Sequence, residues 1–404
     1  MSENKTFIDE LLKLTKEDIK IALATVVKVS GSAYKREGSK MLIDENGRTN
    51  GVISGGCLER DVAEIALQVI ESGLPTLKQY HLDEDLVWGL GLGCPGTVDI
   101  YIEPVKEASI AYLNAIGLHE PFQDEKKIDP FQKWVECLQQ EKEGVLATVM
   151  NTSSSKELLQ GSRVFITTNH QVGQFVPQEL NQMVCDIAYQ KINQQSPKSE
   201  TRTIFLSNGE WVDIFFDVNL PTYELIIFGA GHDAIPLSKL SLQLGFKTSV
   251  VDPRPAYATT ERFPGAEIIS VDADKYRSHV VIGPRTYTVI MNHHLERDQA
   301  SLEFALHSYS PYVGVLGPRS RCNKILDSIQ MRDEQSLSQL HNPIGLDIGA
   351  ESSEEIALSI LSEILAVRNG HAGGFLRSRK GIESNRIHQP LVLDVRETKS
   401  DCLI

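Results

Sequence analysis

The chain has 404 residues, of which 41% are hydrophobic, and its formal net charge is −14 at pH 7. This length suffices for two or three domains, because a single hydrophobic core stops growing at about 250–300 residues. The acidic balance supplies no basic face for nucleic acid or for an anionic membrane, so we predict neither partner and expect any phosphate to be bound by a local site.

The amino terminus reads as a charged amphipathic helix with Phe7, Leu11 and Leu14 on one face. It lacks the uninterrupted apolar stretch of a signal peptide or a membrane anchor, so we expect neither. Cysteines are dispersed along the chain, and without a secretory signal we predict reduced thiols and a cytoplasmic location. The six cysteines are residues 57, 94, 137, 185, 322 and 402.

The first half of the sequence repeats at an offset of 123 residues, as from Leu23 to Leu146. Each copy predicts a strand, a hairpin, a second strand, a helix (58–71 and 181–192) and a closing strand. We interpret this as an internal duplication. The matching segments are 23–26 and 146–149, 38–43 and 161–166, and, after a shorter connection, 98–101 and 212–215.

Two glycine-cysteine segments occur in the first copy and are missing from the second. Cys57 ends the run Ser-Gly-Gly-Cys just before the predicted helix, and Cys94 lies in a glycine-rich run before the closing strand. At the corresponding places the second copy reads Val-Pro-Gln-Glu (176–179) and Leu-Ser-Asn-Gly (206–209). Features that both copies keep serve the fold, so features that one copy keeps indicate function.

The residues before Cys57 favour a reactive thiol. Gly55 and Gly56 allow a turn whose backbone N–H groups point toward an anion, and the predicted helix begins directly after it. Both features favour the thiolate, which is the form that ligates metals. We therefore predict functional roles for Cys57 and Cys94, and we interpret the other cysteines as small buried side chains.

A third glycine-bounded loop, residues 31–38, carries two adjacent cations, Lys35 and Arg36. These side chains could contact anionic groups of a ligand. Neither Cys57 nor Cys94 belongs to a Cys-x-x-Cys motif, so a zinc knuckle or a thioredoxin-like pair is not indicated, although a disulfide between them stays open.

After a less patterned connector, residues 107–142, the pattern changes at Pro221 to strands alternating with helices. Alternation of this kind predicts a parallel sheet covered on both faces, as in a doubly wound Rossmann-type domain. Ser352 and Glu355 form a capping box for the last helix. We predict strands at 223–228, 248–251, 267–270, 287–291 and 312–316, and helices at 233–244, 298–307 and 354–369.

The predicted fold class is therefore α/β, with an amino-terminal duplicated α+β region followed by a Rossmann-type parallel-sheet domain. Its predicted domains are 1–106, the cysteine-bearing first copy; 107–220, the connector and degenerate second copy; 221–385, the Rossmann-type domain; and 386–404, a tail.

The run Gly-Ala-Gly-His-Asp-Ala at 229–234 follows a predicted strand and opens a helix. Gly229 permits the tight turn, and Gly231 lets a pyrophosphate approach the backbone beside His232. The helix amino terminus favours phosphate. Asp252 ends the next strand, where it could accept hydrogen bonds from ribose hydroxyls.

Further candidate residues follow the carboxyl ends of strands, where open α/β sheets bind ligands. Arg254 could contact an extra phosphate or form a surface salt bridge. His293 and His294, with Asp298 a turn later, have the chemistry of metal ligands. They could equally hydrogen-bond a ligand or cap the next helix. The loop 317–321 is a further candidate.

In this order, these motifs resemble the xanthine dehydrogenase accessory family, XdhC/CoxI. The resemblance implies an accessory protein that binds the molybdenum cofactor, as molybdopterin or its dinucleotide form. It further implies that the protein protects the cofactor while a cysteine desulfurase supplies its terminal sulfur, and then delivers it to a xanthine dehydrogenase-type apoenzyme. The motifs that carry the resemblance are 31–34, 54–59, 91–94, 229–234, 252–255, 343–348 and 354–360.

The resemblance implies that the two cysteine motifs hold the cofactor; together with the residue chemistry it leads us to the following hypothesis, in which no residue is catalytic. Cys57 and Cys94 hold the metal end of the cofactor, since thiolate is a suitable ligand for a soft metal–sulfur centre. Lys35 and Arg36, or the Gly229 loop, hold the phosphate end. Two alternatives stay open: an NAD(P)-dependent oxidoreductase that uses the Rossmann domain, and a thiol-redox or metal-binding protein. The oligomeric state is open too, a homo-oligomer included.

Overall fold

A computed structural model of the protein describes residues 3–17, 19–31, 33–82, 96–105, 129–153, 158–194, 196–330 and 337–378. The described residues divide into two compact units, Glu3–Leu220 and Pro221–Ser378. Among them, none of the helices has the length and apolar character needed to span a bilayer.

The amino-terminal unit contains two five-stranded antiparallel sheets, one from each copy of the repeat. The first copy comprises α1 (Glu3–Lys16), β1 (Ile21–Gly31), β2 (Lys40–Asp44), β3 (Thr49–Gly51), α2 (Glu59–Ser72), β4 (Thr76–Leu82) and β5 (Gly96–Pro104). The second comprises α3 (Pro130–Gln139), β6 (Gly144–Thr152), β7 (Arg163–Ile166), β8 (Gln171–Val172), α4 (Gln178–Ile192), β9 (Glu200–Phe205) and β10 (Trp211–Asn219).

The two sheets have the same strand order, β3-β2-β1-β5-β4 and β8-β7-β6-β10-β9. The predicted duplication is therefore confirmed. One element in each copy was not predicted: β4 and β9 form an edge of their sheets, beside β5 and β10. An edge strand is half exposed, as β9 is, so its sequence carries little of the apolar alternation that reveals a buried strand.

Each sheet has one face against its own helix and the other face turned toward the second sheet. Side chains alternate between the faces of a strand, so Ala22, Ala24 and Val26 of β1 lie in the core under α2. Val27 points the opposite way and packs with Met150 and other residues of both sheets. The amino-terminal unit is thus layered as helix, sheet, sheet, helix.

Helix α3 lies in the segment that we interpreted as a less patterned connector, and that interpretation was wrong. The helix begins with a capping box formed by Asp129 and Gln132. Its Trp134 is fully buried in a cluster that contains residues of α1 and of both sheets, including Leu23 and Leu146. The segment therefore contributes to the shared core instead of merely joining the copies.

Two buried ion pairs cross between the copies. Lys40 Nζ lies 2.8 Å from Asp217 Oδ2, and Arg163 pairs with Glu103. Lys40 and Arg163 occupy equivalent positions of the repeat, and so do Glu103 and Asp217. When residue i of one copy contacts j of the other and the reverse also holds, the contact is that of a two-fold dimer.

The carboxy-terminal unit is a six-stranded sheet in the order β13-β12-β11-β14-β15-β16, with every neighbouring pair parallel. This order is that of a dinucleotide-binding Rossmann fold. Its elements are β11 (Glu224–Phe228), α5 (Ala234–Gln243), β12 (Lys247–Val251), β13 (Glu267–Ile269), α6 (Tyr276–His279), β14 (Thr286–Ile290), α7 (Leu295–Leu306), β15 (Tyr312–Val315), α8 (Arg319–Ser328), β16 (Leu340–His341) and α9 (Ser353–Arg368).

Helices cover both faces of this sheet, so the predicted Rossmann-type architecture is confirmed. Helices α5 and α9 contribute to the core on one face, and α7 and α8 to the core on the other. The capping box of Ser352 and Glu355 is present at the start of α9. One prediction was wrong in part: residues 319–321, interpreted as part of the loop 317–321, form the first turn of α8.

Candidate functional site

The Cys57 turn, residues 54–58, connects β3 to α2, which begins at Glu59. Gly56 has a φ of +100°, a left-handed conformation that favours glycine. Among the described residues, no atom lies within 4 Å of a Cβ placed on Gly56, so this side of the turn is open. Cys57 is half-buried with a free thiol. The turn thus presents a thiol beside an accessible stretch of backbone.

The carboxylate of Glu59 folds back over this turn. Its Oε1 accepts a hydrogen bond of 2.8 Å from the Ser54 amide, and its Oε2 accepts from the Ser54 hydroxyl and, at 3.2 Å, from the Leu58 amide. Partial burial alone would raise the pKa of Glu59, but these hydrogen bonds outweigh it and lower the pKa below its usual value. Glu59 is therefore ionised, and its hydrogen bonds join the two ends of the turn.

The loop of residues 31–38 lies beside the Cys57 turn. Ala33 and Cys57 pack against the same hydrophobic cluster. The ring of Tyr34 lies on the turn, with its Cγ 3.6 Å from a Cβ placed on Gly55, and Tyr34 is nevertheless 69% exposed. Sequence reasoning missed Tyr34; the available signal was an aromatic residue inside a glycine-bounded loop.

The two cations predicted from the sequence belong to this same loop. Lys35 is partly buried and Arg36 is exposed. Because Ala33 and Tyr34 adjoin the Cys57 turn, the structure brings the loop that carries Lys35 and Arg36 to the turn that carries the thiol.

Cys94 lies outside the described residues. The described chain stops at Leu82, the end of β4, and resumes at Gly96, the start of β5. Gly96 pairs with Leu82 on one side and with Gly31 on the other. Leu82 and Gly96 therefore lie at the end of the sheet from which the loop 31–38 departs.

The second copy uses the equivalent region differently. Helix α4 begins at Gln178, and its Glu179 accepts hydrogen bonds from the amide of Ser207 at 3.0 Å and from the Ser207 hydroxyl at 2.8 Å. Ser207 lies in the tight turn between β9 and β10. The acid at the start of this helix thus fastens a neighbouring hairpin, and no cysteine stands in the turn before it.

In the carboxy-terminal unit, close approach of the backbone requires a glycine at the start of the loop after β11. Gly229 has a φ of +113°, and a Cβ there would lie 2.5 Å from the carbonyl oxygen of Met291. At Gly231, a Cβ would lie 2.6 Å from Oδ1 of Asp233. The loop has the predicted backbone, but a carboxylate lies beside Gly231, where the sequence predicted approach of a pyrophosphate.

Asp252 is fully buried, and its carboxylate is engaged within the protein. It accepts hydrogen bonds from the amides of Ala230 (2.8 Å) and Arg254 (2.9 Å), and from Nε (2.9 Å) and Nη2 (2.6 Å) of Arg254. Burial would raise the pKa of Asp252, but these bonds lower it. A carboxylate offers about four acceptor sites, so ribose hydroxyls would have to displace a protein donor. Of the two roles open to Arg254 from its sequence position, the structure contains the salt bridge.

The candidate metal ligands after β14 do not come together. His293 Nε2 lies 2.6 Å from Oδ2 of Asp233. Asp298 instead accepts from the Asn292 amide at 3.0 Å and pairs with Arg321. The described part of the chain holds no cluster of three or more His, Cys, Asp or Glu side chains suited to a metal ion.

The two other predicted histidines lie at the surface of this unit. His294 is exposed at the N-cap of α7, so the capping interpretation describes its position, although its side chain makes no cap hydrogen bond. His232 is exposed in the glycine loop.

Two family models match the chain. A model described as the XdhC Rossmann domain matches residues 225–364, and one described as the XdhC and CoxI family matches residues 14–81. The first match falls within the parallel-sheet unit, and the second includes the Cys57 turn.

Named relatives match nearly the full length. A Bacillus subtilis protein, named as a subunit of a probable xanthine dehydrogenase, is 30% identical over 374 residues, which are 91% of this chain and 98% of that protein. An Escherichia coli protein named molybdenum cofactor insertion chaperone PaoD is 23% identical over 86% of this chain and 83% of its own. A crystal structure described as a xanthine dehydrogenase from Bacillus halodurans aligns with a TM-score of 0.63 and 30% identity, covering 94% of this chain and 98% of that one.

Proposed function

Since the chain belongs to the XdhC and CoxI family, we propose that it is an accessory protein that binds the molybdenum cofactor, assists its sulfuration and delivers it to a xanthine dehydrogenase-type apoenzyme. The observation that carries the proposal is the match to 83% of the length of a protein named a molybdenum cofactor insertion chaperone. We assign no catalytic residue, because the proposed role is to hold and transfer a cofactor.

Cys57 is the residue that we propose to hold the metal end. Its thiol is free and half-buried, and no other atom of the described residues lies within 4 Å of a Cβ placed on Gly56 in the turn that carries it. A thiolate suits the soft metal–sulfur centre that the cofactor supplies. We propose Cys94, two residues before Gly96 in the sequence, as the second ligand. Of this donor set, the Cys57 thiol is the described member, and its chemistry fits the cofactor.

We propose Lys35 and Arg36 for the phosphate end, in preference to the Gly229 loop. Their loop adjoins the Cys57 turn through Ala33 and Tyr34. At the Gly229 loop, the carboxylate of Asp233 lies beside Gly231 instead, and its negative charge repels a phosphate. The form of the cofactor decides whether a nucleotide arm must be accommodated as well.

The binding step is tested by titrating the purified protein with molybdenum cofactor under anaerobic conditions. We expect Cys57→Ala to weaken binding by at least about tenfold, which is ~1.4 kcal/mol, because it removes a metal ligand. Cys185→Ala is the control, since that thiol is buried in α4 of the second copy. Wild-type affinity in both Cys57→Ala and Cys94→Ala would contradict the ligand role.

Sulfuration and delivery need a second experiment. The gene is deleted in the host, and the host's xanthine dehydrogenase is assayed for cofactor content and for the terminal sulfur. An enzyme that retains the cofactor but lacks its terminal sulfur would indicate that the protein acts in the cysteine desulfurase step. An enzyme that lacks the cofactor altogether would indicate that it acts in delivery. A fully loaded, active enzyme in the deletion strain would refute the maturation role.

The geometry weighs against a nicotinamide-dependent oxidoreductase. The acid placed for ribose is already saturated by protein donors, and an NADH titration should therefore show no binding. A thiol-redox role would require a partner thiol for Cys57. The described cysteines, residues 57, 137, 185 and 322, are all free.

A further inference from the structure

The Cys57 turn is held at both of its ends by one side chain. Glu59 accepts hydrogen bonds from the amide and the hydroxyl of Ser54, five residues earlier, and from the amide of Leu58. The Ser54 hydroxyl also accepts from the Leu58 amide at 3.1 Å. Gly55, Gly56 and Cys57 lie between these two anchor points, so the path of their backbone depends on the carboxylate.

We propose that Glu59 is a positioning residue for the Cys57 site: it fixes the turn so that the thiol is presented to the cofactor, without contacting the cofactor itself. This inference rests on the proposed function, because it names the residue that prepares the proposed ligand. It also explains why the acid immediately follows the turn, in the first residue of α2.

A carboxylate is required at this position because every group that faces it is a donor. Two amides and one hydroxyl point at its oxygens, and hydrogen bonds to an ionised acceptor are stronger than neutral ones. Its negative charge also suits the amino terminus of α2. A glutamine would direct an NH₂ group at one of these donors, and the turn would open there.

The second copy supplies a matched comparison. Glu179 likewise accepts from the amide and the hydroxyl of a single serine, Ser207. That serine lies in the hairpin between β9 and β10, 28 residues farther along the chain, and the turn before α4 carries no cysteine. In the register that places Glu179 opposite Cys57, the residue opposite Glu59 is Asn181, whose Oδ1 accepts from the Phe175 amide at 2.9 Å. Both copies therefore tie the start of the helix to the turn before it, but only Glu59 ties a turn that carries a cysteine, and it does so with a carboxylate.

The experiment compares wild type, Glu59→Gln and Glu179→Gln in two measurements, thermal unfolding and affinity for the molybdenum cofactor. We expect both variants to lower the unfolding midpoint by similar amounts. Only Glu59→Gln should weaken cofactor binding, by about tenfold, roughly the cost of losing one charged hydrogen bond. Equal affinity of Glu59→Gln and wild type, or an equal loss in Glu179→Gln, would overturn the assignment.

A second variant and a second measurement separate a failure of this inference from a failure of the proposed function. Ser54→Ala removes one tie while keeping the acid, so it should weaken binding in the same direction and less than additively with Glu59→Gln. If wild type fails to bind the cofactor, the proposed function falls. Peptide-resolved alkylation then decides the inference alone: the rate of Cys57 alkylation at one fixed pH must change in Glu59→Gln and not in Glu179→Gln, because only the first variant releases the turn, and an unchanged rate overturns it.

Discussion

The sequence position of Asp252 suggests that it binds a ligand, but its carboxylate stabilises the fold instead. It follows β12 at the place where dinucleotide-binding proteins contact ribose, yet its oxygens hold the Gly229 loop through Ala230 and bind the guanidinium of Arg254. The guanidinium also stacks over Tyr257 at 4.2 Å. The acid therefore joins the glycine loop to the segment after β12 within the protein itself.

This arrangement predicts how the stability of the protein depends on pH. Because the pKa of Asp252 in the folded state lies below its ordinary 3.8, its contribution is fully present above that value. The contribution is lost as the pH falls through the folded pKa. At pH 7, Asp252→Asn should cost about 2–3 kcal/mol, a buried-pair cost reduced for the partial exposure of Arg254. Below about pH 4 the difference from wild type should shrink.

The measurement is urea denaturation of both proteins between pH 3 and pH 7, at about half-unit steps. Asp233→Asn is the control, since its partner His293 is largely exposed, and it should change the unfolding free energy by less than about 1 kcal/mol. A constant difference between Asp252→Asn and wild type across the range would show that the carboxylate is not the cause.

At the scale of elements, the buried strands and the glycine turns were predictable, but the side-chain contacts between loops were not. The strands β1 and β6 repeat an apolar pattern that the core imposes, whereas the exposed edges β4 and β9 lack one. The glycine run before Cys57 predicted a turn. That Tyr34 lies on this turn depends on how two loops meet in space, and that Glu59 folds back over it depends on the direction of one side chain; the periodicity of the sequence encodes neither contact.

Helix α3 contributes more to the hydrophobic core than its sequence pattern predicted. Trp134 is 1% exposed, packs against Phe131 and Phe7, and has the ammonium of Lys40 4.9 Å from its ring centre. Trp134→Ala should lower the unfolding free energy by about 3–5 kcal/mol, because it leaves a cavity in a core that both copies share. Denaturant titration with circular dichroism measures this.

The comparison for α3 is Tyr189→Ala, an aromatic truncation on the partly exposed side of α4. It should cost less than half as much, since little apolar surface is lost. A loss for Trp134→Ala no larger than that for Tyr189→Ala would mean that α3 is not part of the shared core.

At the scale of the whole molecule, the amino-terminal unit is stabilised by paired charges that the repeat places twice. Lys40→Met leaves Asp217 buried without its cation, and Arg163→Met does the same to Glu103. Each substitution should lower the free energy of unfolding by about 3–5 kcal/mol. The two losses should be similar, because the two positions are equivalent in the repeat. Lys40→Met combined with Asp217→Leu should recover most of the loss.

Urea denaturation of the three variants checks this expectation. A double variant as unstable as Lys40→Met would show that the loss comes from packing and not from an uncompensated charge. Strongly unequal single variants would show that the two copies have diverged in how they hold each other.

The two-fold relation between the copies has a consequence for stoichiometry. A sheet pair of this kind is what two identical chains would form, and such a dimer would present two thiol turns. In this single chain the turn before α4 of the second copy carries no cysteine, whereas the turn before α2 of the first copy carries Cys57. Only one of the two copies therefore carries a thiol turn. We expect one cofactor to bind per chain, however many chains assemble.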